Sequence, residues 1–368
     1  MLSIVHLADL HLGASYSFLP AAKAAAARES QFATLTRAVE YANAQFANAI
    51  LIAGDLFDSP TPPAEIVTRA FSILSGANCC VLIAPGNHDY LCAESPYLTA
   101  QRPERVFVFT SPVLTSFPVG DRALVWGAAF CDQSASISLE AALVSDRPNL
   151  LLVHSDLKTQ SGYNPLTAAD FKTSGFAYAA LGHNHQYSGM RRAGQTIYAC
   201  PGSPCGVGAD DTGSKGFLFG QLGDETKFRF IPGGGIEFHP LTIDFTPLTS
   251  DRMLEQALAA QIPKNHAKVC ASVELTGERC YEPDFPALRK ALDAVFLHAV
   301  VIDHTTTRRS LWRYQNDDDL RGAVTRRYRS LVEAAADEDE KARLTLSLRY
   351  ALAAMDGEAC PSVETGNQ

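Results

Sequence analysis

Five short apolar runs punctuate the first half of the chain, and each leads into polar residues of a narrow range of types. The runs are "LSIVHLAD", "AILIAGD", "CCVLIAPGNHD", "NLLLVHSD" and "AYAALGHNH". They are continuously apolar rather than alternating, as in strands covered on both faces. Helical stretches separate the first of them. The alanine-rich segment 21–46 carries Phe32, Leu35, Val39 and Phe46 near helical spacing. Pro62 and Pro63 stand at the start of an expected helix over 63–74, where a helix N-terminus tolerates them. Strands alternating with helices predict an α/β layered core.

Around and after Gly202 the pattern turns to short strands broken by glycine: "QTIYACPG", "KGFLFGQLG" and "KFRFIPGGG". The run Gly233-Gly234-Gly235 is the best candidate boundary. Beyond it, strand 241–245, helix 252–260, strand 268–275, helix 284–295 and strand 299–304 predict a small α/β domain. Two helices are expected between Asp317 and Met355, broken near "ADEDEK". The expected organisation is therefore 1–238, 239–305, 306–356 and a frayed tail at 357–368. No internal repeat is visible.

The ends of the five apolar runs carry candidate chemistry. Asp9 and His11 follow the first, Asp55 the second, Asn87 and His88 the third. His154 closes the fourth, and His183 and His185 the fifth. The carboxyl ends of parallel strands open on one crevice, so residues distant in sequence can meet there. Each has an ordinary reading alone: an aspartate after a strand caps a turn, and a strand-end histidine usually packs. His6, inside the first run, takes that ordinary reading. The repetition of Asp, Asn and His at all five ends is what argues for a shared site.

Seven candidate ligands (Asp9, His11, Asp55, Asn87, His154, His183 and His185) exceed what one ion of this class takes. Carboxylate, amide and imidazole together suit Mn²⁺, Fe²⁺ or Zn²⁺ better than Ca²⁺ or Mg²⁺. Two divalent metal ions need a bridging anion, and a carboxylate such as Asp55 can serve both. A hydroxide held between two ions is a nucleophile near neutral pH, and both ions polarise a bound phosphate.

Composition narrows this picture only at a few points. With 46% hydrophobic and 19% charged residues the chain is that of a soluble globular protein. No apolar stretch approaches the roughly 18–20 residues of a membrane span. The start "MLSIVHLADLHLG" lacks the basic region and cleavage site of a signal peptide. A cytoplasmic location with no membrane association is expected. The nine cysteines are odd in number and include no C-x-x-C, and Cys79 and Cys80 sit in an apolar run as buried thiols. Any metal is thus left to N and O ligands. The net charge of −9 argues against broad affinity for nucleic acid. Against that, Arg308, Arg309, Arg313, Arg321, Arg326, Arg327 and Arg329 crowd one segment, opposed by Asp317, Asp318 and Asp319. They form either a solvated helix face or a stripe that contacts phosphate or a partner.

Asp9-x-His11, Gly54-Asp55-x-x-Asp58, Gly86-Asn87-His88-Asp89, His154 and Gly182-His183-Asn184-His185 resemble the full signature of calcineurin-like metallophosphoesterases. The flanks "HLADLHLGA", "AGDLFDSPTPP", "APGNHDY", "YAALGHNH" and "YACPGSP…DDTGSKGF" resemble the SbcD-type DNA repair exonucleases within that family, over residues 1 to 235. The resemblance implies a four-layer αββα core, a small α/β cap domain that meets DNA, and C-terminal helices that dock an SbcC-like ABC-type ATPase. It implies that Asp9, His11 and His185 bind one metal with Asp55 bridging, and that Asn87, His154 and His183 bind the other. His88 would face the phosphate and assist leaving-group departure, with Asp89 orienting His88. Relatives dimerise through the phosphoesterase domain, so a homodimer is also implied.

Two positions depart from the family pattern. Some nuclease relatives have histidine where this chain has Asp58, so Asp58 is assigned no proton-relay role. Many have glycine before the fourth-block histidine, where this chain has Val153. The expected function is Mn²⁺-dependent hydrolysis of DNA phosphodiesters from ends, with possible endonuclease activity and an ATPase partner gating access. A phosphodiesterase or phosphatase for small phosphates is the alternative enzyme. A metal-bearing binding subunit for the ATPase is the third reading, against which His88 argues.

Overall fold

The five apolar runs are strands, divided between two sheets. The computed structural model describes residues 1–140, 143, 146–157, 162–209, 211–308 and 310–357. Apart from Gly357, the expected tail at 357–368 lies outside them, as does Arg309. The chain opens with β1 (Leu2–Leu7), α1 (Ala21–Ala44), β2 (Ala49–Ile52), α2 (Ala64–Ser75) and β3 (Cys80–Ile83). Then come α3 (Pro96–Thr99), β4 (Val106–Val108), β5 (Thr115–Val119), β6 (Ala123–Gly127), β7 (Asn149–His154), α4 (Ala168–Ser174) and β8 (Tyr178–Gly182). The hairpin-like region supplies β9 (Arg191–Ala193), β10 (Thr196–Ala199), β11 (Gly216–Leu222) and β12 (Lys227–Pro232).

The first sheet runs β12-β11-β1-β2-β3-β4 and the second β5-β6-β7-β8-β10-β9. Strands β1 to β4 are mutually parallel, as are β6, β7, β8 and β10. Side chains alternate between two cores with the period of two that a strand dictates. Ile4, Leu51 and Leu82 of the first sheet share one core with Val125, Leu152 and Ala180 of the second. Their neighbours Val5, Ile50 and Val81 turn to the opposite face and meet Phe32 and Leu35 of α1 and Phe71 of α2. On the outer face of the second sheet, Leu151, Val153, Ala179 and Leu181 pack with Phe171 of α4 and with Phe130 and Phe176. The result is the expected αββα layering, with a thin outer layer over the second sheet. Val153, the departure from the family pattern, is a fully buried member of that outer core, and β7 runs unbroken through it to His154.

After β12 the chain forms β13 (Glu237–Asp244), α5 (Asp251–Ala259), β14 (Val269–Thr276), β15 (Glu278–Arg279), α6 (Phe285–Val295), β16 (His298–Asp303) and β17 (Thr306–Thr307). Strands β13, β14 and β16 make a third sheet, in that order. Two helices follow, α7 (Leu320–Glu333) and α8 (Glu338–Asp356). The chain forms two compact units, one of Met1–Thr242, Gln261–Glu274 and Phe285–Ile302, the other of Ile243–Ala260, Leu275–Asp284 and the chain from Asp303 onward. The stretch 239–305 is thus shared between both.

The arginine-rich stretch is largely paired within the second unit. Arg313 and Arg321 reach Asp356 at the end of α8, at 2.7 and 3.4 Å, and the Tyr314 hydroxyl donates to the same carboxylate. Arg326 donates to the carbonyls of Gln315 and Asp317, while Arg308 pairs with Glu278. Asp319 and Asp337 cap α7 and α8 by accepting from the backbone N–H groups of Gly322 and Glu340.

Candidate metal centre

The loops that follow β1 and β2 are zipped together by backbone hydrogen bonds. Asp9 N–H donates to Gly54, His11 to Asp55 and Leu12 to Leu56, at 2.9–3.1 Å. Both loops turn sharply: Asp9, His11 and Asp55 take left-handed backbone with φ of 53°, 47° and 50°, and His183 takes 83°. Such a conformation costs a non-glycine residue about 1–3 kcal/mol and persists where its surroundings impose it. Four of the seven expected ligands are held this way.

The motif glycines have a steric reason. A Cβ at Gly54 would overlap the His154 ring, one at Gly86 would overlap the Asp55 carboxylate, and one at Gly182 would overlap the Ala53 carbonyl oxygen. The loops therefore pack backbone against ligand side chain, which only glycine permits.

All seven expected ligands lie together at the ends of β1, β2 and β3 from one sheet and β7 and β8 from the other. His183 N–H donates to both Asp9 oxygens, at 3.0 and 3.1 Å. His154 Nε2 and His183 Nδ1 converge on Asn87 Oδ1, at 2.8 and 3.1 Å. Asp55 Oδ2 stands 3.4 Å from His154 Nε2 and 3.8 Å from His11 Nε2, between the two groups. His11 Nε2 in turn lies 3.1 Å from His185 Nε2.

The donor and acceptor roles show that this cluster fits cations. His154 Nδ1 faces the Ala53 carbonyl at 2.9 Å, and a carbonyl only accepts, so Nδ1 carries the proton. Nε2 is left turned toward Asn87 Oδ1 and Asp55 Oδ2, which are acceptors too. His11 repeats the arrangement, with Nδ1 against Asp58 Oδ1 at 3.0 Å and Nε2 turned inward. Clustered lone pairs repel one another unless a cation lies among them, and carboxylate-backed imidazoles are the usual form of a metal ligand. Asp9, His11 and His185 offer ligand atoms within 4.8 Å of one another, as do Asp9, Asp55 and His154, and as do His11, Asp58 and His88.

The local field has the same sign. Burial opposes charge on His11, yet the Asp58 hydrogen bond and the Asp55 and Asp9 carboxylates outweigh it and raise the pKa to about 9. Burial likewise opposes charge on Asp55, but His154, His11 and His88 hold its carboxyl below the usual range. The pocket is short of positive charge.

The catalytic expectations fare differently. His88 is the exposed member of the set, its side chain 46% accessible. Its N–H donates to Asp55 Oδ1 at 2.9 Å, and its ring Nδ1 lies 3.7 Å from Asp58 Oδ1. Asp89 was expected to orient His88, and its hydrogen bonds correct that role. This buried carboxylate accepts from the N–H groups of Gly86, Asp55, Leu56 and Phe57 and from the Tyr97 hydroxyl, at 2.5–3.2 Å. It clamps the loops after β2 and β3 to each other. Asp58, assigned no proton-relay role from sequence, is the carboxylate beside His88 and His11.

The sequence model of calcineurin-like phosphoesterases matches residues 2–187, the span that supplies every residue of this cluster. The chain is a calcineurin-like phosphoesterase. It is 27% identical over 341 residues, 86% of its own length and 82% of the relative's, to the uncharacterized metallophosphoesterase YhaO of Bacillus subtilis. It is 28% identical over 223 residues to the DNA double-strand break repair protein Mre11 of Aeropyrum pernix, covering 55% of this chain and 53% of that one. The Mre11 protein of Sulfurisphaera tokodaii is likewise 28% identical, over 217 residues and 53% of its length.

Other residues of this phosphoesterase escaped sequence reasoning. Asp156 Oδ2 lies 3.9 Å from His183 Nε2, and Asp211 Oδ2 lies 3.5 Å from His185 Nδ1. Asp211 belongs to the "DDTGSK" flank, so its signal was present without its contact. Tyr97 has no such signal. His6 takes the ordinary reading given to it: fully buried, it is bonded at both ring nitrogens, to Tyr178 Oη at 2.8 Å and to the Leu181 carbonyl at 3.1 Å.

Proposed function

We propose that this phosphoesterase hydrolyses phosphodiesters of DNA, with two divalent ions, Mn²⁺ foremost and Fe²⁺ or Zn²⁺ as alternatives. The observation that carries the diester reading is a pair of cavities meeting at the same two residues. One, of 290 Å³, is lined by Asn87, Tyr90, Gln133 and Tyr163. The other, of 300 Å³, is lined by His11, His185, Ser15 and Phe18. Asp58 and His88 border both. A diester presents a group on each side of its phosphorus and has use for both spaces, whereas a monoester needs one. The likeness to proteins named for DNA double-strand break repair supports DNA as the diester.

In this reading Asp9, His11 and His185 hold one ion, Asn87, His154 and His183 the other, and Asp55 lies between. Bound divalent ions supply Lewis-acid polarisation of the phosphate and of the attacking water. Water attacks phosphorus and loses a proton to solvent as the P–O ester bond breaks, and His88 gives a proton to the departing oxygen. Asp58 stands beside the His88 ring at the mouth of the site. The stretch 239–305 would serve as a cap toward DNA. The α7–α8 pair, which leaves Leu320 and Met355 exposed, would meet an SbcC-like ATPase. None of the described helices is long and apolar enough to cross a membrane.

The test is Mn²⁺-dependent digestion of linear duplex, single-stranded and covalently closed DNA, beside a chromogenic diester and a chromogenic monoester. Hydrolysis of linear DNA and of the diester, with the monoester nearly inert, is expected. Turnover of the small diester alone, every DNA staying intact with the ATPase present, would favour a small-molecule phosphodiesterase.

A further inference from the structure

The blocks "PGSP" and "DDTGSK" have so far no part in the chemistry, yet three of their residues close on a single ligand. Ser203, Asp211 and Lys215 lie outside the regular elements and are buried, at 0%, 3% and 1% exposure. Lysine and aspartate reach such burial only when paired. Lys215 Nζ meets Asp211 Oδ1 and also donates to the carbonyls of His185 and Thr212, at 3.1 and 3.3 Å. Asp211 Oδ2 accepts from the Ser203 hydroxyl at 2.8 Å and the Val207 N–H at 3.0 Å, and stands 3.5 Å from His185 Nδ1. Ser203 N–H donates to the His185 carbonyl at 3.0 Å. Gly202, with φ of 79°, brings this loop so close that a Cβ would lie 2.8 Å from the same carbonyl oxygen.

We propose that Asp211, neutralised by Lys215 and steadied by Ser203, is the positioning carboxylate of His185. It keeps the proton on Nδ1 and leaves Nε2 free for a divalent cation. The inference rests on the reading of His185 as a ligand. A carboxylate only accepts, so the ring nitrogen it faces bears the hydrogen, and the opposite nitrogen is the one turned toward His11. Lys215 removes the cost of an unpaired buried carboxylate, so Asp211 adds no net charge to the centre and acts through geometry. Lys215 Nζ and Ser203 N–H hold the backbone carbonyl of the same histidine, so His185 is fixed at its ring and at its main chain. Partners of this kind alter metal affinity about 10–100-fold.

The test compares the wild type, the double variant D211L/K215M, which removes both the charge and the acceptor, and His185→Ala by equilibrium dialysis against Mn²⁺, with thermal unfolding of each apo chain. A buried ion pair can be replaced by neutral groups without loss of fold. The double variant is expected to unfold near the wild-type temperature, to bind one ion unchanged and to bind the second at least tenfold more weakly. Unchanged binding of both ions, or equal weakening of both, overturns the inference. If the double variant does not fold, ¹⁵N NMR of His185 in the Zn²⁺-loaded wild type decides. A proton on Nδ1 with the metal on Nε2 is expected, and metal on Nδ1 overturns it. A His185 ring that does not respond to Zn²⁺, together with wild-type metal content in His185→Ala, would instead overturn the ligand reading itself.

Discussion

His11 and His185 face each other through their Nε2 atoms at 3.1 Å, while the Nδ1 atom of each is turned toward a carboxylate, Asp58 or Asp211. Two imidazole nitrogens directed into one small space, each backed by a carboxylate, make a place for a cation. His88 stands outside that space. His88→Ala is therefore expected to retain both bound ions by elemental analysis while its turnover falls about 10²–10⁴-fold. His185→Ala is expected to lose metal as well as activity. Equal metal loss in the two variants would refute the division of roles.

Asp89 gathers four backbone N–H groups and the Tyr97 hydroxyl, so its value is structural and it binds two ligand loops into one piece. Tyr97→Phe keeps the ring against Phe57 and removes one donor to a charged acceptor. The expected loss is about 1.5–3 kcal/mol in denaturant unfolding. An unchanged midpoint would mean that the carboxylate does not depend on the hydroxyl.

How much of this was readable follows from what kind of contact each residue makes. The strands, the helices at 21–46 and 63–74 and the clustering of seven polar residues were legible, because apolar runs and their end residues are local features of the chain. The division of the runs between two sheets came only with the family resemblance, since five similar strands by themselves can build one sheet or two. The partner of Asp89 was misread for a related reason. Its neighbour in sequence is His88, but its hydrogen bonds go to the loop after β2, some thirty residues earlier. Asp58 was passed over because only the fold sets it against His11 and His88.

His6 makes stability depend on pH. The Leu181 carbonyl fixes the proton on Nε2, Nδ1 accepts from Tyr178, and burial lowers the pKa from 6.5 to about 3. The unfolded chain therefore binds a proton that the folded chain refuses. The resulting stability is complete above about pH 6.5 and is lost as pH falls toward 3. At pH 5 this one group should lower stability by about 2 kcal/mol relative to neutral pH. His6→Asn should be less stable at pH 7 but should show a correspondingly smaller drop between pH 7 and 5. An identical drop in both proteins would contradict the account.

Gly182 ends β8 against the Ala53 carbonyl and the His154 ring. Gly182→Ala forces a methyl group into backbone that cannot rotate away. A loss of about 3 kcal/mol is expected from denaturant unfolding of the apo chain. A loss below about 1 kcal/mol would show that the two sheets can part at no great cost.

The ends of five strands are expected to hold two ions between them. Crystals soaked with Mn²⁺ and measured for anomalous scattering test it most directly. Two peaks are expected, one among Asp9, His11 and His185, the other among Asn87, His154 and His183, with Asp55 between them. A single peak at full Mn²⁺ occupancy, or peaks away from these residues, would contradict it.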